Sequence, residues 1–310
     1  MRIGIDAMGG DFAPLEAVKG CIASRLRYPE IIPVLFGQKE KIINCLIELG
    51  VPNNSFEIID APEVIEMGEH PTKAISHKKG SSINIAYKHL ADKSIDALIG
   101  AGNTGAMLVG ALFSVKAIEG VQRPTITSIL PKLEGGFGVL LDVGANADCK
   151  PEVLNQFAIL GSLYAQNVYG IENPKVGLLS IGHEKEKGNI LNQATFPQLE
   201  SNDRINFVGN LEGRDLFNNK ADVIVCDGFT GNIVLKLCEE FYYTFAKQGV
   251  NNEFLDKFNF KNYGGTPILG VNEAVIIGHG ISKEATFVEM FKMAFDVVNT
   301  KLVEKIKKSF

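Results

Sequence analysis

Short apolar runs alternate with longer amphipathic stretches through most of the chain. The short runs have the length and composition of buried strands, and they lie at 3–6, 31–36, 56–60, 95–99, 175–181 and 223–226. The intervening stretches predict helices at 14–27, 38–49, 81–91, 103–117, 151–167, 188–199 and 229–248. Strands that alternate with helices in this way predict an α/β fold, with a mostly parallel sheet covered by helices on both faces.

One pair of apolar runs breaks this alternation. Residues 125–130 and 137–142 are joined by a short loop that contains Gly135 and Gly136, which is typical of a hairpin. We therefore expect an antiparallel pair inside the mostly parallel sheet. Because no repeat, low-complexity tract or Pro/Ser-rich linker divides the chain, we expect a single large α/β/α unit over residues 1–310.

The stretch 97–115 carries no charge and is nearly long enough to span a bilayer. It contains Gly100, Gly102 and Gly105, so it is better interpreted as a strand, a glycine-rich turn and a buried helix. At the start of the chain, Asp6 comes too early for the apolar core of a secretory leader. These features predict a cytoplasmic protein.

The composition excludes several classes of protein. Hydrophobic residues make up 45% and charged residues 22% of the chain, which excludes a disordered or fibrous protein. A net charge of −5 gives no overall field for nucleic acid. The five cysteines include no CxxC pair and no Cys/His cluster, so we expect reduced, buried thiols and no metal site.

Glycines gather where the apolar strands end. Five segments combine a strand end with a small polar residue and glycine, and they are 6–11, 100–106, 142–146, 180–189 and 227–232. The carboxyl ends of parallel strands meet along one edge, where open α/β folds bind ligands. Glycine lets backbone N–H groups turn toward a ligand, and helix N-termini add partial positive charge. The pattern predicts one shared crevice for phosphate, although tight turns alone would explain any single segment.

Other chemistries have weaker signals. Residues 100–105 match GxGxxG, but Glu119, about 20 residues further on, is badly placed to bind a ribose. Asp222 and Asp227 would face opposite sides of a strand, unlike the carboxylate cluster of a metal-dependent dehydrogenase. The chain contains neither GxSxG nor HExxH. An NAD-dependent dehydrogenase is therefore a weak alternative.

Lys187 is the strongest single candidate for binding an anion. It precedes Gly188 and Asn189 at the start of a predicted helix, where an ammonium group would join the backbone amides. It also belongs to the charged run 183–187, which is equally typical of a solvated lysine. The residues alone leave both interpretations open.

Short motifs in a fixed order cover nearly the whole chain. They are IDAMGGD at 5–11, HPTKAISHKKGSS at 70–82, GAGNTGA at 100–106, LDVGAN at 141–146, LLSIG at 178–182, KGN at 187–189, FVGNLEGRDL at 207–216, DGFTGN at 227–232 and GGTPILGV at 264–271. Together they resemble the bacterial acyl-carrier-protein:phosphate acyltransferases of phospholipid synthesis, the PlsX family. Each motif alone is weak, whereas the ordered set is specific.

The resemblance implies both a fold and a reaction. The fold would be a three-layer α/β/α structure related to phosphotransacetylases and isopropylmalate dehydrogenases, usually a homodimer. Inorganic phosphate would attack the thioester of a long-chain acyl carrier protein and give acyl phosphate, with no cofactor. Since phosphate is already anionic, such an enzyme works by positioning and by stabilising the oxyanion, without a serine or cysteine nucleophile.

The resemblance also implies site residues. Lys187 would hold phosphate, and Asn232 would donate a hydrogen bond to phosphate or to the thioester oxygen. The amide-rich segment and the residues that shape the rest of the site would be Gly102, Asn103, Thr104, Gly105, Asp6, Gly9, Gly10, Asp142, Asn146 and Gly231. His183 stands where family members often carry glutamate, so no role is transferred to it.

The chain departs from the family in a helical excursion that is shortened here, at about 241–263. This segment keeps aromatic residues and lysines, which allows an amphipathic surface with weak peripheral membrane contact. A hairpin that packs in the dimer is the favoured alternative. An acidic carrier protein also requires a local basic surface on a chain of charge −5. The candidate residues for that surface are Lys78, Lys79, Lys116, Arg123 and Lys247.

Two rival functions stay open from the sequence. A short-chain phosphate acetyl- or butyryltransferase that uses acyl-CoA would share the same crevice. A non-catalytic phosphate-binding protein on the same scaffold would bind the anion without releasing a carrier thiol.

Overall fold

The computed structural model describes residues 1–250, 252–259 and 263–310. Backbone contacts group the chain into two compact units. The first contains Met1–Ala117 and Lys261–Val303, and the second contains Ile118–Phe260 and Glu304–Phe310. The sequence-based expectation of a single large α/β/α unit over residues 1–310 stays a prediction.

Strands and helices alternate over most of the chain, as the hydrophobic pattern predicts. The strands are β1 (Arg2–Asp6), β2 (Ile32–Gly37), β3 (Glu57–Asp60), β4 (Ala97–Gly100), β5 (Thr125–Pro131), β6 (Phe137–Leu141), β7 (Lys175–Leu179), β8 (Asn206–Leu211), β9 (Val223–Val225), β10 (Gly265–Leu269) and β11 (Ala274–Gly278). The helices are α1 (Leu15–Arg27), α2 (Lys39–Glu48), α3 (Pro71–His77), α4 (Ser82–Ala91), α5 (Thr104–Ser114), α6 (Pro151–Tyr169), α7 (Ile190–Glu200), α8 (Gly228–Lys247), α9 (Glu253–Asp256), α10 (Glu284–Asn299) and α11 (Leu302–Lys307). A 3₁₀ turn lies at Gly213–Asp215.

The first unit is built on a sheet in the order β3-β2-β1-β4-β11-β10. All neighbouring strands are parallel except β10 and β11, which pair antiparallel. In the middle of the sheet, Ile5 of β1 pairs with Leu35 on one side and Ile99 on the other, and all three side chains are fully buried. Helices α1 and α10 pack closely because Gly20 has no side chain: a Cβ there would lie 2.4 Å from Cβ of Phe287.

The second unit has a sheet in the order β5-β6-β9-β7-β8. Strands β5 and β6 pair antiparallel, whereas β6, β9, β7 and β8 run parallel, which confirms the predicted hairpin. At the hairpin, Lys132 forms a 2.6 Å ion pair with Asp222, and both side chains are largely buried. Asp222 also accepts a 2.9 Å hydrogen bond from the N–H of Lys175, so it links the hairpin to β7.

The two sheets are mixed and mostly parallel and carry helices, which confirms the α/β fold class. The uncharged stretch 97–115 contains β4 and α5, as predicted. Among the described residues, we find no helix that combines the length and apolar character needed to cross a membrane. The hydrophobic pattern did not predict β8, β10, β11, α3 or α10.

Candidate active site

A buried carboxyl group organises the end of β6. Asp142 Oδ1 accepts hydrogen bonds of 3.2 Å from the N–H groups of Ile126 and Ala145, and Oδ2 accepts from N and Nδ2 of Asn146 at 2.6 and 2.9 Å. Burial raises the pKa of Asp142, while the bonds from Asn146, Ile126 and Ala145 oppose this rise. Both Asp142 and Asn146 are thus fully engaged in shaping the loop. Gly231 packs on the same loop, where a Cβ would lie 1.9 Å from the Asp142 carbonyl oxygen.

A cavity of about 320 Å³ opens beyond β7 and β9 in the second unit. Its wall combines an apolar floor with small polar groups from two of the five predicted segments, 180–189 and 227–232. The lining residues are Leu154, Leu178, Leu179, Ser180, Ile181, Gly188, Asn189, Asn192, Cys226, Asp227 and Thr230. Two of the predicted segments therefore meet at one hollow within this unit, while none of the predicted site residues is among its lining residues.

Two helices begin at this cavity. Asn189 caps α7 by accepting a 2.9 Å hydrogen bond from the N–H of Asn192, and Asp227 caps α8 by accepting a 2.9 Å bond from the N–H of Thr230. The remaining first-turn amides of a helix have no partner inside the helix, and they carry its partial positive charge. Because both helix starts line one hollow, the cavity suits an anion with several oxygens.

A second cavity of about 770 Å³ shares Asn189, Asp227 and Thr230 with the first and is also lined by Cys149. Burial raises the pKa of the Cys149 thiol to about 12, with further contributions from nearby carboxyl groups, Asp142 first among them. The group therefore stays a thiol at neutral pH and is a poor nucleophile. All five cysteines are free; Cys21 and Cys226 are buried as predicted, whereas Cys45, Cys149 and Cys238 are only half-buried.

The two predicted catalytic residues are both exposed, Lys187 on a turn before α7 and Asn232 near the start of α8. Lys187 directly precedes the lining residue Gly188, and its side chain has no hydrogen bond or ion pair within the described part of the chain. Asn232 lies in the first turn of α8 with its side-chain oxygen next to Gly144. Neither residue lines either cavity as it stands, so their roles stay predictions.

In the first unit, segments 6–11 and 100–106 pack directly against each other. A Cβ on Gly9 would lie 2.5 Å from Oδ2 of Asp6 and 2.6 Å from the Gly102 nitrogen. Asp6 is buried, and burial raises its pKa, opposed by hydrogen bonds from Ser82, Met8 and Gly9. Asp6 thus holds the turn between strand and helix together.

Asn103 and Gly105 serve the local structure of the same turn. Asn103 Nδ2 donates to the carbonyl groups of residues 66, 67 and 69 at 2.9–3.2 Å, while Oδ1 caps α5 through the N–H of Ala106. The Asn103 side chain is therefore not free to bind a ligand, and only its backbone is available. Gly105 leaves space for Pro71, whose Cγ would lie 2.4 Å from a Cβ. Thr104 is exposed, and Gly10 adopts a φ of +106°. Convergence of all five segments into one crevice stays a prediction.

The sequence pattern missed an ionic cluster on the loop that carries Lys187. The buried carboxylate of Asp215 lies 2.7 Å from His183 Nε2 and 2.6 Å from Lys220 Nζ, and it accepts a 2.9 Å bond from Asn218. Although burial opposes ionisation, the bonds from Lys220 and His183 lower the pKa of Asp215 below its usual range. The cluster ties loop 181–189 to the turn after β8. In the sequence, the only indication of this cluster was the charged run EGRD at 212–215, within the motif at 207–216.

Comparison with known proteins settles the family. A family model described as "Fatty acid synthesis protein" matches residues 1–305. The chain belongs to this family. The phosphate acyltransferase of Desulfitobacterium hafniense (strain DSM 10664 / DCB-2) is 43% identical, over 99% of this chain and 97% of that protein. The phosphate acyltransferase of Aquifex aeolicus (strain VF5) is 42% identical, over 99% of this chain and 96% of that protein. These relatives confirm the resemblance and the prediction of an acyltransferase enzyme.

Solved structures confirm the fold. A phosphotransacetylase from Streptococcus pyogenes matches with a TM-score of 0.67 and 17% identity, covering 98% of this chain and 94% of that one. A branched-chain phosphotransacylase from Enterococcus faecalis V583 matches with a TM-score of 0.63 and 15% identity, covering 96% and 99%. A 4-hydroxythreonine-4-phosphate dehydrogenase from Klebsiella pneumoniae shares the fold at a TM-score of 0.59 and 12% identity, covering 96% and 97%.

The Asp215 cluster predicts a stability change that depends on pH. Because the folded-state pKa lies below the ordinary value of 3.8, the ionised carboxylate stabilises the fold above that value. This stabilisation is lost as the pH falls through the folded-state pKa. Asp215→Asn should therefore lower the free energy of unfolding by about 2 kcal/mol at pH 7, and the difference should shrink below about pH 4.

Urea unfolding of both proteins at several pH values measures this difference. Asp203→Asn is the control, because Asp203 is exposed and has no ion pair among the described residues. A difference between Asp215→Asn and the parent protein that stayed constant down to strong acid would show that the charge of Asp215 is not its cause.

Proposed function

We propose that this enzyme transfers the acyl group of an acyl carrier protein to inorganic phosphate and thereby feeds phospholipid synthesis. The observation that carries the proposal is the cavity at which α7 and α8 both begin, in a chain of the phosphate acyltransferase family. Helix starts favour a multivalent oxyanion, and phosphate is the acceptor named in the relatives.

In the proposed reaction, a phosphate oxygen attacks the thioester carbonyl carbon, and the C–S bond breaks as the carrier thiolate leaves. First-turn amides of α7 and α8 hold the phosphate. Lys187 neutralises its charge as the thioester approaches, and Asn232 donates to the carbonyl oxygen as it gains charge.

The attacking group is phosphate itself, because the cavity offers no ionised thiol. Burial raises the pKa of Cys226 well above its ordinary value and that of Cys149 to about 12. Both groups stay protonated at neutral pH. This disfavours an acyl-cysteine intermediate and supports a direct transfer to phosphate.

The acidic carrier protein would bind a basic part of the surface in the cytoplasm. Among the candidate cations, Lys78 already pairs with Glu69 and is half-buried, so it is a poor contact for a partner. Lys79 donates to the carbonyl oxygen of Ile75, whereas Lys116 and Arg123 are exposed. We therefore favour Lys116 and Arg123 for the encounter with the carrier.

We further propose that α8 packs against α8 of a second copy in a homodimer. Exposed apolar side chains of α8 recur every four residues along about 24 Å of the helix, in a stripe that turns by about 40° at each step. They are Phe229, Ile233, Leu237, Phe241 and Phe245. A stripe of this kind is self-complementary across a two-fold axis. In the shortened excursion, Phe254 and Phe258 pack on Phe217, and Phe260 and Lys261 lie outside the described residues.

Mass-spectrometric detection of acyl phosphate tests the proposed function directly. Palmitoyl carrier protein plus inorganic phosphate should yield palmitoyl phosphate and free carrier thiol, with acetyl-CoA a much poorer donor. Higher turnover with acetyl-CoA would instead establish the short-chain phosphate acetyltransferase. Phosphate binding without any thiol release would establish a non-catalytic binding protein.

Lys187→Ala should reduce kcat/KM for phosphate by about 100-fold, because one preorganised charge at the reacting oxygens contributes at least this much. Steady-state kinetics with varied phosphate measures the effect. Lys185→Ala is a matched control, since Lys185 lies on the same loop and its ammonium pairs with Glu200. Lys185→Ala should stay within about two-fold of the parent. Near-normal activity of a folded Lys187→Ala protein would remove Lys187 from the mechanism.

The dimer predicts that Leu237→Glu converts the protein to a monomer, since an unpaired carboxylate would be buried in the interface. Light scattering after gel filtration measures the mass. Glu240→Ala, on the same helix, should stay dimeric. If the wild-type protein were instead a monomer that floats with liposomes, the apolar stripe of α8 would be a membrane-binding surface.

A further inference from the structure

Ser180, which is not among the predicted site residues, has an unusual environment in the cavity of the second unit. Ser180 directly follows β7 and is one of the residues that line this cavity. Its hydroxyl oxygen is buried and has no hydrogen-bond partner among the described residues. A buried polar group without a partner is destabilising, so a ligand that accepts a hydrogen bond from this hydroxyl would remove an unfavourable interaction.

The backbone around Ser180 is fixed on both sides. The Ser180 N–H donates a 2.7 Å hydrogen bond to the carbonyl oxygen of Leu211 in β8. Asn192 of α7 donates a 2.6 Å bond to the carbonyl oxygen of Leu179. The hydroxyl is therefore held on the end of a strand beside the first turn of α7, where a bound group would meet it in one geometry.

Gly188 keeps this position open. Its φ of +103° lies in the region that favours glycine, and a Cβ there would lie 2.8 Å from the Ser180 hydroxyl oxygen. Any side chain at position 188 would cover the hydroxyl. The chain thus keeps free the space beside a polar atom that nothing in the described protein uses.

The same cavity contains a carboxylate, which restricts the anion. Both oxygens of Asp227 already accept hydrogen bonds of 2.9 Å, from the N–H and the hydroxyl group of Thr230. Each carboxylate oxygen can accept a second bond. A singly protonated phosphate carries an O–H group that can donate to this carboxylate, whereas sulfate at neutral pH carries none.

We propose that the Ser180 hydroxyl binds an oxygen of inorganic phosphate inside this cavity, and that Asp227 selects a protonated oxyanion there. The inference rests on the proposed function for the identity of the anion. The hydroxyl donates to a non-protonated phosphate oxygen, beside the first-turn amides of α7. Since the bond forms with bound phosphate and persists in the transition state, it contributes uniform binding, which appears in KM.

Ser180→Ala tests this assignment by kinetics. The KM for phosphate should rise about ten-fold while kcat changes less than two-fold, because a hydrogen bond to a charged group is worth about 1.5–3 kcal/mol. Ser24→Ala is a matched control: Ser24 is also buried, and its hydroxyl also has no partner, but it lies in α1 away from this cavity. This control should leave the KM for phosphate unchanged.

A binding measurement separates the inference from the reaction. Thermal unfolding is followed with increasing sodium phosphate, and with sodium sulfate at equal ionic strength. Phosphate should raise the Tm of the parent and of Ser24→Ala more than sulfate does, and Ser180→Ala should lose most of the rise. Without added anion, Ser180→Ala should be at least as stable as the parent, because it removes an unpartnered polar atom.

The outcomes distinguish the two claims. A Ser180-dependent rise in Tm without acyl phosphate production would support the phosphate site and refute the proposed function. Acyl phosphate production with the same KM and the same phosphate effect in Ser180→Ala would refute the assignment of Ser180 and leave the function intact. A lower Tm of Ser180→Ala without anion, with kcat reduced as much as kcat/KM, would show a structural role and overturn the proposal. Equal effects of sulfate and phosphate would overturn the selection by Asp227.

Discussion

The buried carboxyl group of Asp142 is the interaction on which the candidate site depends. It collects four hydrogen bonds at the end of β6 and so fixes the position of Asn146. The Asn146 carbonyl oxygen then accepts a 2.8 Å hydrogen bond from the N–H of Gly228, the first residue of α8. Because Gly228 and Gly231 have no side chains, the first turn of α8 can lie directly on this loop. The start of α8, and with it the polar wall of the cavity, is set by one desolvated carboxyl group.

Some charged side chains near the cavity have ionic partners, whereas others have none among the described residues. Asp215 forms an ion pair with Lys220 and a hydrogen bond with His183, and Lys185 pairs with Glu200. The buried Asp215 contacts anchor the loop, while Lys187 on the same loop has no ionic partner within the described residues. An anchored loop with one unpaired ammonium group is suited to meet an incoming anion, since little reorganisation is needed when the anion arrives.

The sequence predicted the regular part of the fold because most of its strands are short apolar runs separated by amphipathic stretches of helix length. Strand β8 was not predicted, because Asn206, Gly209 and Asn210 interrupt its apolar pattern on the edge of its sheet. Two of the five strand-end segments, 180–189 and 227–232, contribute residues to the cavity. They could not show the direction of a side chain: Asn103 turns away to hold residues 66–69, and Asp215 meets His183 across 32 positions of the chain. Such contacts depend on tertiary packing, which no local pattern contains.

The apolar floor of the cavity explains why weak dipoles suffice to hold a charged substrate. Leu154, Leu178 and Leu179 exclude water from one side, so the local dielectric is lower than in bulk solvent. The attraction between helix-start amides and a phosphate oxygen grows as the dielectric falls. The same floor makes ionised thiols unfavourable, which is why the pKa of Cys226 lies so far above its ordinary value. The same environment thus disfavours a cysteine thiolate, whereas the first-turn amides would offset the desolvation of a bound anion, which supports the proposed attack by phosphate itself.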